Sequence, residues 1–275
     1  MSSAGPGGRP PLSPPQPMRL ESSLDGPAGA PVVILANPIG TTRAIWDAQA
    51  RVLREHFRLL RFELRGHGTP GARSDAPPGP YSVAELGSDV LGLMREHDVT
   101  TAAYCGISLG GMIGLWLAAH APERFSSLVV CCAAITPMPS RQAWLDRVAL
   151  VRSGGMAAIG DMVAPRWFTP EFIARQPAAV AFVVDMLLGT DPEGYAGCGE
   201  AIAGIDLRPA LGAITAPTLV IAGAEDPAAP PWQGAMTASG ITGARLRVIR
   251  GASHLAPYQV PGPVTAAILG HLGTG

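Results

Sequence analysis

Ala103-Tyr104-Cys105-Gly106-Ile107-Ser108-Leu109-Gly110-Gly111-Met112-Ile113-Gly114 is an apolar run that closes in Gly-x-Ser-x-Gly and passes at once into an apolar, helix-forming segment ending near His120. Strand, tight turn carrying the serine, helix: that succession presents a serine hydroxyl at the end of a sheet. The glycines have a steric task. The serine backbone is held in a strained conformation, and side chains at 106 and 110 would collide with the neighbouring strand and helix. The N–H groups opening the helix point back at the serine and stabilise negative charge there. In a chain with 34 glycines the pattern alone is weak, the bland alternative being a glycine-rich turn around a buried serine. Its meaning depends on the rest of the chain.

Length and charge narrow the classes. The 275 residues suit one large α/β domain, with or without an inserted cap, and are enough for a sizeable core. With a formal net charge of −1, 15% charged residues and no block of like charge, neither nucleic acid nor a membrane surface is expected as a partner. All 20 basic residues are arginine. Without lysine there is no Walker phosphate loop, no Schiff-base chemistry and no Ser–Lys dyad. The four cysteines, Cys105, Cys131, Cys132 and Cys198, have neither Cys-x-x-Cys nor metal-site spacing. The first three fall in expected core strands, where free cysteine behaves as a small apolar residue. No metal and no cofactor is expected, and a reduced, cytoplasmic compartment fits. No basic N-terminal region leads into an apolar run, and no apolar stretch approaches the ~18 residues of a membrane span.

Outward from the serine, strand-like runs alternate with helical ones. Residues 1–17, with six prolines among Gly and Ser, read as a disordered or extended arm, and 18–24 as a short edge strand. Val32-Val33-Ile34-Leu35-Ala36 is the continuous apolar run of a strand buried on both faces. Asn37-Pro38-Ile39-Gly40-Thr41-Thr42 follows, then an amphipathic helix over about 44–55. A strand over 58–64, the loop Arg65-Gly66-His67-Gly68, a Pro/Gly-rich connection and a helix over 82–96 precede the serine; Ser82 N-caps that helix, with Glu85 three residues on. After it come strands over 127–133, 218–222 and 245–249, and a last helix over about 263–271. This alternation predicts a mostly parallel central sheet with helices on both faces. Residues 137–210 break the pattern with helical segments only: 140–153, 156–163, 171–188 (interrupted at Pro177) and 192–204. The expected organisation is a core of 18–136 and 211–275 and an inserted helical cap, 137–210, above the strands' C-terminal ends, where such sheets form their pockets.

An activated serine needs a base, an acid that orients the base, and donors for the oxyanion. Of six histidines, His56, His97 and His120 sit near helix ends, His67 lies in its loop and His271 is almost C-terminal. His254 follows the last strand and precedes the last helix, on the sheet's C-terminal edge. Asp226 follows strand 218–222 on that edge, with Glu225 as the alternative; the loop after 127–133 offers Ala134-Ile135-Thr136 and no acid. The order Ser108, Asp226, His254 is the serine–acid–histidine order of the α/β-hydrolase fold. The oxyanion donors are then the N–H of Leu109 and one from the loop after the first buried strand, where Pro38 has none and Ile39 is next.

With these pieces placed, residues of about 20–270 resemble the 3-oxoadipate enol-lactonases, α/β-hydrolases of aromatic-acid catabolism. The resemblance rests on Asn37-Pro38-Ile39-Gly40-Thr41-Thr42 with Trp46-Asp47, on Arg65-Gly66-His67-Gly68, and on Cys105-Gly106-Ile107-Ser108-Leu109-Gly110-Gly111-Met112. Trp144, Arg166-Trp167-Phe168-Thr169-Pro170, Gly194-Tyr195 and Asp226-Pro227-Ala228-Ala229-Pro230-Pro231 complete it. It implies hydrolysis of a small-molecule lactone or ester through an acyl-serine, without cofactor or metal. Glu63 departs from the aspartate usual two positions before Arg-Gly-His-Gly, Thr69-Pro70 from a common serine, and Leu109 from a frequent methionine; the proline-rich arm is extra. A dicarboxylate-like lactone needs a cation in its pocket. Arg141, Trp144 and Arg147, at i, i+3 and i+6 of the first cap helix, are the expected Arg–aromatic wall, with Trp167 beside them; a solvated arginine face with Trp144 in the core is the bland alternative. Arg166 and Arg43 rank behind. The same triad serves an ester or thioester hydrolase or an acyltransferase, and a non-catalytic binding protein of this fold is the alternative of another class, against which the complete triad argues. Oligomeric state is not legible.

Overall fold

In the computed structural model, which describes residues 17–68 and 76–273, one sheet has the strand order β1-β3-β2-β4-β5-β6-β7. The strands are β1 Ser22–Asp25, β2 Val32–Ala36, β3 Arg58–Phe62, β4 Ala102–Ile107, β5 Phe125–Cys131, β6 Thr218–Gly223 and β7 Arg245–Ile249. All pairings are parallel except that of β1, which lies antiparallel to β3 at one edge. The edge strand starts later than the expected 18–24 because Met18 is drawn away, its N–H bonding Asp89 Oδ1 at 2.6 Å. The Pro- and Gly-rich arm expected over 1–17 lies outside the described residues, save Pro17.

The central strands are apolar throughout because both faces are covered. β4 and β6 are buried at every residue. Helices α1 Asp47–Leu53, α2 Val83–Glu96 and α3 Leu109–His120 alternate with the first strands. Ser82 and Glu85 close a capping box at the start of α2. α3 is apolar around most of its circumference, as a helix held between a sheet and α2 must be. At the other end of the sheet, β7 is exposed along four of its five residues and carries Arg245 and Arg247, charges that discourage a further strand.

Between β5 and β6 the described residues contain no strand, only α4 Arg141–Gly154, α5 Gly160–Trp167, α6 Pro170–Arg175, α7 Pro177–Leu188, α8 Pro192–Ala203 and short 3-10 turns. The chain then completes the sheet with α9 Pro231–Gly240, α10 Ala256–Gln259 and α11 Pro261–Leu272. α9 carries no clear periodic signal, with Gly at 234 and 240 and Pro at its first position, and only the packing against β6 and β7 makes it a helix. Among the described residues no helix is long and apolar enough to cross a membrane.

Topology places the site. The chain steps from β2 to β3 on one side of β2 and then crosses to β4 on the other. The crevice between the C-terminal ends of β2 and β4 is the switch point at which open α/β sheets bind ligands.

Candidate active site

Ser108 sits at that crevice, between the end of β4 and the start of α3. Its backbone takes φ 51° and ψ −115°, a conformation that costs a non-glycine residue about 1–3 kcal/mol and persists only when its surroundings hold it. They do: the Ser108 N–H bonds Cys131 O at 2.9 Å, and its carbonyl accepts the Met112 N–H at 2.9 Å. A Cβ on Gly106 would overlap the Gly110 carbonyl, and one on Gly110 would overlap the backbone of Ala36 and Asn37. Strand, helix and neighbouring loop therefore approach at main-chain distance, and the Gly110 N–H bonds Asn37 O at 3.1 Å across that contact.

His254 Nε2 lies 2.9 Å from Ser108 Oγ, and His254 Nδ1 lies 2.9 Å from Asp226 Oδ2. All three side chains are buried. A carboxylate only accepts, so Nδ1 carries the proton and Nε2 presents its lone pair to the serine O–H. Asp226 uses its other oxygen on the N–H groups of Ala228 and Ala229, at 2.8 and 2.9 Å; Pro227, which has no N–H, turns the chain between them. The alternative acid, Glu225, is exposed, and its N–H bonds Ala252 O at 3.0 Å. The histidine loop is tied to the helical insert. Leu255 N–H bonds Trp167 O at 3.1 Å, and Gln259 bonds Thr169 Oγ1, Gly251 O and Ser253 N–H at 2.7, 2.9 and 3.1 Å. No motif marks Gln259 in the sequence.

Across the serine runs the loop after β2. Ile39 lines the cavity, and Leu109, as the first residue of α3, has no intrahelical acceptor for its N–H. The loop is bound to the Arg65-Gly66-His67 turn, where the Gly40 N–H donates to His67 Nε2 at 2.8 Å. Below it, Glu63 accepts from Asn37 Nδ2 at 3.2 Å and from the Arg43 N–H at 3.0 Å. Burial pushes the Glu63 carboxyl up to about 7 against the opposing pull of the Arg43 N–H and guanidinium. Arg43 is thereby engaged, its side chain pairing with Glu21 at 2.9 Å, and it does not line the cavity.

Ser108 and His254 face a cavity with about 480 Å³ of empty space, counting the part open to solvent. Ile39, Met112 and Met138 supply apolar wall, and the insert supplies Trp144, Arg147, Arg166, Trp167 and Tyr195. The Arg147 guanidinium stacks 4.8 Å over the Trp144 ring, whose own N–H is fixed on Met138 O at 2.9 Å. Arg166 has its pKa lowered by burial and then by Arg147, so two cations share the wall. Burial raises the Tyr195 hydroxyl, which Arg147 opposes from close by. Arg141 is not among these residues. It is exposed at the start of α4, because six residues turn a helix through about 600°, leaving Arg141 and Arg147 about 120° apart around the axis. Arg166, ranked behind it on sequence, takes the place. Among the described residues no group of three or more His, Cys, Asp or Glu could hold a metal ion.

Residues 33–267 match the model of an alpha/beta hydrolase family. The chain is 38% identical over 246 residues to 3-oxoadipate enol-lactonase 2 of Acinetobacter baylyi, covering 90% of each. It superposes with a TM-score of 0.88 on the enol-lactonase from Burkholderia xenovorans LB400, at 39% identity over 92% of this chain and 96% of that one. A thermophilic esterase from Thermogutta terrifontis, solved with malate bound, is similar at a TM-score of 0.84 and 27% identity, covering 93% of both chains.

Proposed function

Because the chain belongs to the alpha/beta hydrolase family, we propose that it opens a carboxylate-bearing lactone through an acyl-serine on Ser108, with 3-oxoadipate enol-lactone as the substrate type. The protein is a hydrolase of esters or lactones, as its enol-lactonase relatives are. The serine route and the anionic substrate rest on one juxtaposition: the Ser108–His254–Asp226 chain faces the same cavity as the guanidinium groups of Arg147 and Arg166.

In this reading the helices between β5 and β6 cap the pocket, and Arg147 and Arg166 hold a carboxylate of the substrate against Trp144. Ser108 Oγ attacks the lactone carbonyl while His254 Nε2 takes its proton, and Asp226 stabilises the imidazolium. The N–H groups of Ile39 and Leu109 receive the oxyanion. On collapse the ring C–O bond breaks, and His254 returns the proton to the departing enol oxygen. Water deprotonated by His254 then releases the ring-opened acid and restores the serine. A cytoplasmic location belongs to the same reading, since the four thiols are buried and unpaired.

The test is turnover of the enol-lactone and of a neutral ester, with wild type and Ser108→Ala, and mass spectrometry of the acid-quenched protein. Loss of at least ~10³-fold in Ser108→Ala, with an acyl adduct on the wild-type serine, is the expected result. Turnover that survives the substitution overturns the serine route. Equal wild-type preference for neutral and anionic substrates overturns the carboxylate assignment.

A further inference from the structure

We propose that His67 is a positioning residue for the oxyanion loop: its ring holds the peptide that follows Ile39 and so aims the Ile39 N–H at the serine. The proposal rests on the reading above, in which that N–H receives the oxyanion.

Successive peptide planes of the loop are each pinned by a different partner. The Asn37 carbonyl accepts the Gly110 N–H at 3.1 Å, and the Pro38 carbonyl accepts Thr41 Oγ1 at 3.0 Å. The Pro38 carbonyl and the Ile39 N–H belong to one rigid peptide, so the threonine fixes the N–H on its first side. The next peptide carries the Gly40 N–H, and that is the group His67 Nε2 accepts at 2.8 Å. With both planes held, Ile39 has no free backbone rotation. Gly40 takes φ +74°, and a side chain there would run into Leu187 and Tyr195, so the turn cannot be rebuilt around another residue.

The ring is committed to this bond. His67 Nδ1 lies 2.9 Å from the Arg65 carbonyl, which can only accept, so the proton sits on Nδ1 and Nε2 is left as an acceptor. The ring is buried and is absent from the cavity wall, so the proposed chemistry gives it no other task. Its own mount is stiff. Arg65 makes a buried two-point pair with Asp89, at 2.5 and 2.8 Å, and the Gly66 carbonyl accepts the Asp191 N–H at 3.0 Å where Gly66 and Gly194 touch main chain to main chain. The Arg65-Gly66-His67 turn thus joins the oxyanion loop to the helical insert.

The experiment compares His67→Phe, which fills the space without an acceptor, with His67→Gln, which can place an oxygen near the Nε2 position. Expected is a fall in kcat of about 10- to 100-fold in His67→Phe with KM within about threefold, and recovery to within about threefold of wild type in His67→Gln. Affinity for a boronic acid, which forms a tetrahedral adduct on the serine, should fall in proportion to kcat, while affinity for the ring-opened product should not. An unchanged kcat in His67→Phe overturns the proposal, as does a loss shared equally by boronate and product. If His67→Phe does not fold, His67→Asn, whose amide stops short of Gly40, is compared with His67→Gln, and equal kcat values in the two overturn it. Ser108→Ala measured in parallel separates the failures. Turnover surviving there rejects the acyl-serine reading, whereas an inactive Ser108→Ala beside an unaffected His67→Phe rejects only the role of His67.

Discussion

At the scale of single residues, the site depends as much on missing side chains as on present ones. Gly110→Ala places a methyl against the carbonyls of Ala36 and Asn37 and should destabilise the protein by about 2–4 kcal/mol, read as a lower urea midpoint. Gly270, in α11, faces open space where a methyl would stand, and Gly270→Ala should instead gain about 0.4–1 kcal/mol. Arg166→Met removes one of two cations from the cavity wall and should raise KM for an anionic lactone by about tenfold or more, with a neutral ester little affected in steady-state kinetics. The meeting of Ser108, His254 and Asp226 was legible because each follows a strand end, a position that sequence order specifies. Which arginines line the cavity was not, because helical spacing orders side chains around an axis without saying which side faces the serine.

At the scale of elements, the histidine loop and the insert behave as one unit. Gln259 reaches from α10 to Thr169, the N-cap of α6, while also holding both ends of the turn that precedes His254. Gln259→Leu leaves the Ser253 N–H and the Gly251 carbonyl without that partner, so a loss of about 2–4 kcal/mol is expected in denaturant titration, together with a lower kcat as His254 loosens. Individual elements were legible to within a few residues wherever an apolar run or a cap marked them: β2 and α2 are examples. α9 was not, since its sequence has no amphipathic period and its helical form comes from the surface it covers. The bond between Gln259 and Thr169 spans 90 positions, and nothing local in either segment announces it.

At the scale of the whole molecule, two buried titratable groups beside the loop after β2 tilt stability in opposite directions. Burial pushes His67 down to about 4, so between pH 6.5 and 4 the unfolded chain takes up a proton that the folded one refuses, and stability is lost as pH falls through that window. Glu63, pushed up to about 7, does the reverse: between pH 4.5 and 7 the unfolded chain ionises first, and stability is lost as pH rises. Each shift is worth up to about 3 kcal/mol. Glu63→Gln, neutral at every pH, should therefore gain up to about 3 kcal/mol relative to wild type between pH 4 and pH 8, measured by urea unfolding at both; a difference independent of pH contradicts the assignment. By itself, the sequence determined the strand–helix succession, the strained serine turn and the Ser108, Asp226, His254 order, because apolar continuity, glycine sterics and strand ends are local properties. Only the tertiary structure decided that Arg166 rather than Arg141 faces the serine, that Glu63 is buried beside Arg43, and that His67 holds the loop 27 positions before it. Those depend on which surfaces meet, and burial and hydrogen bonding between distant segments exist only once the chain has folded.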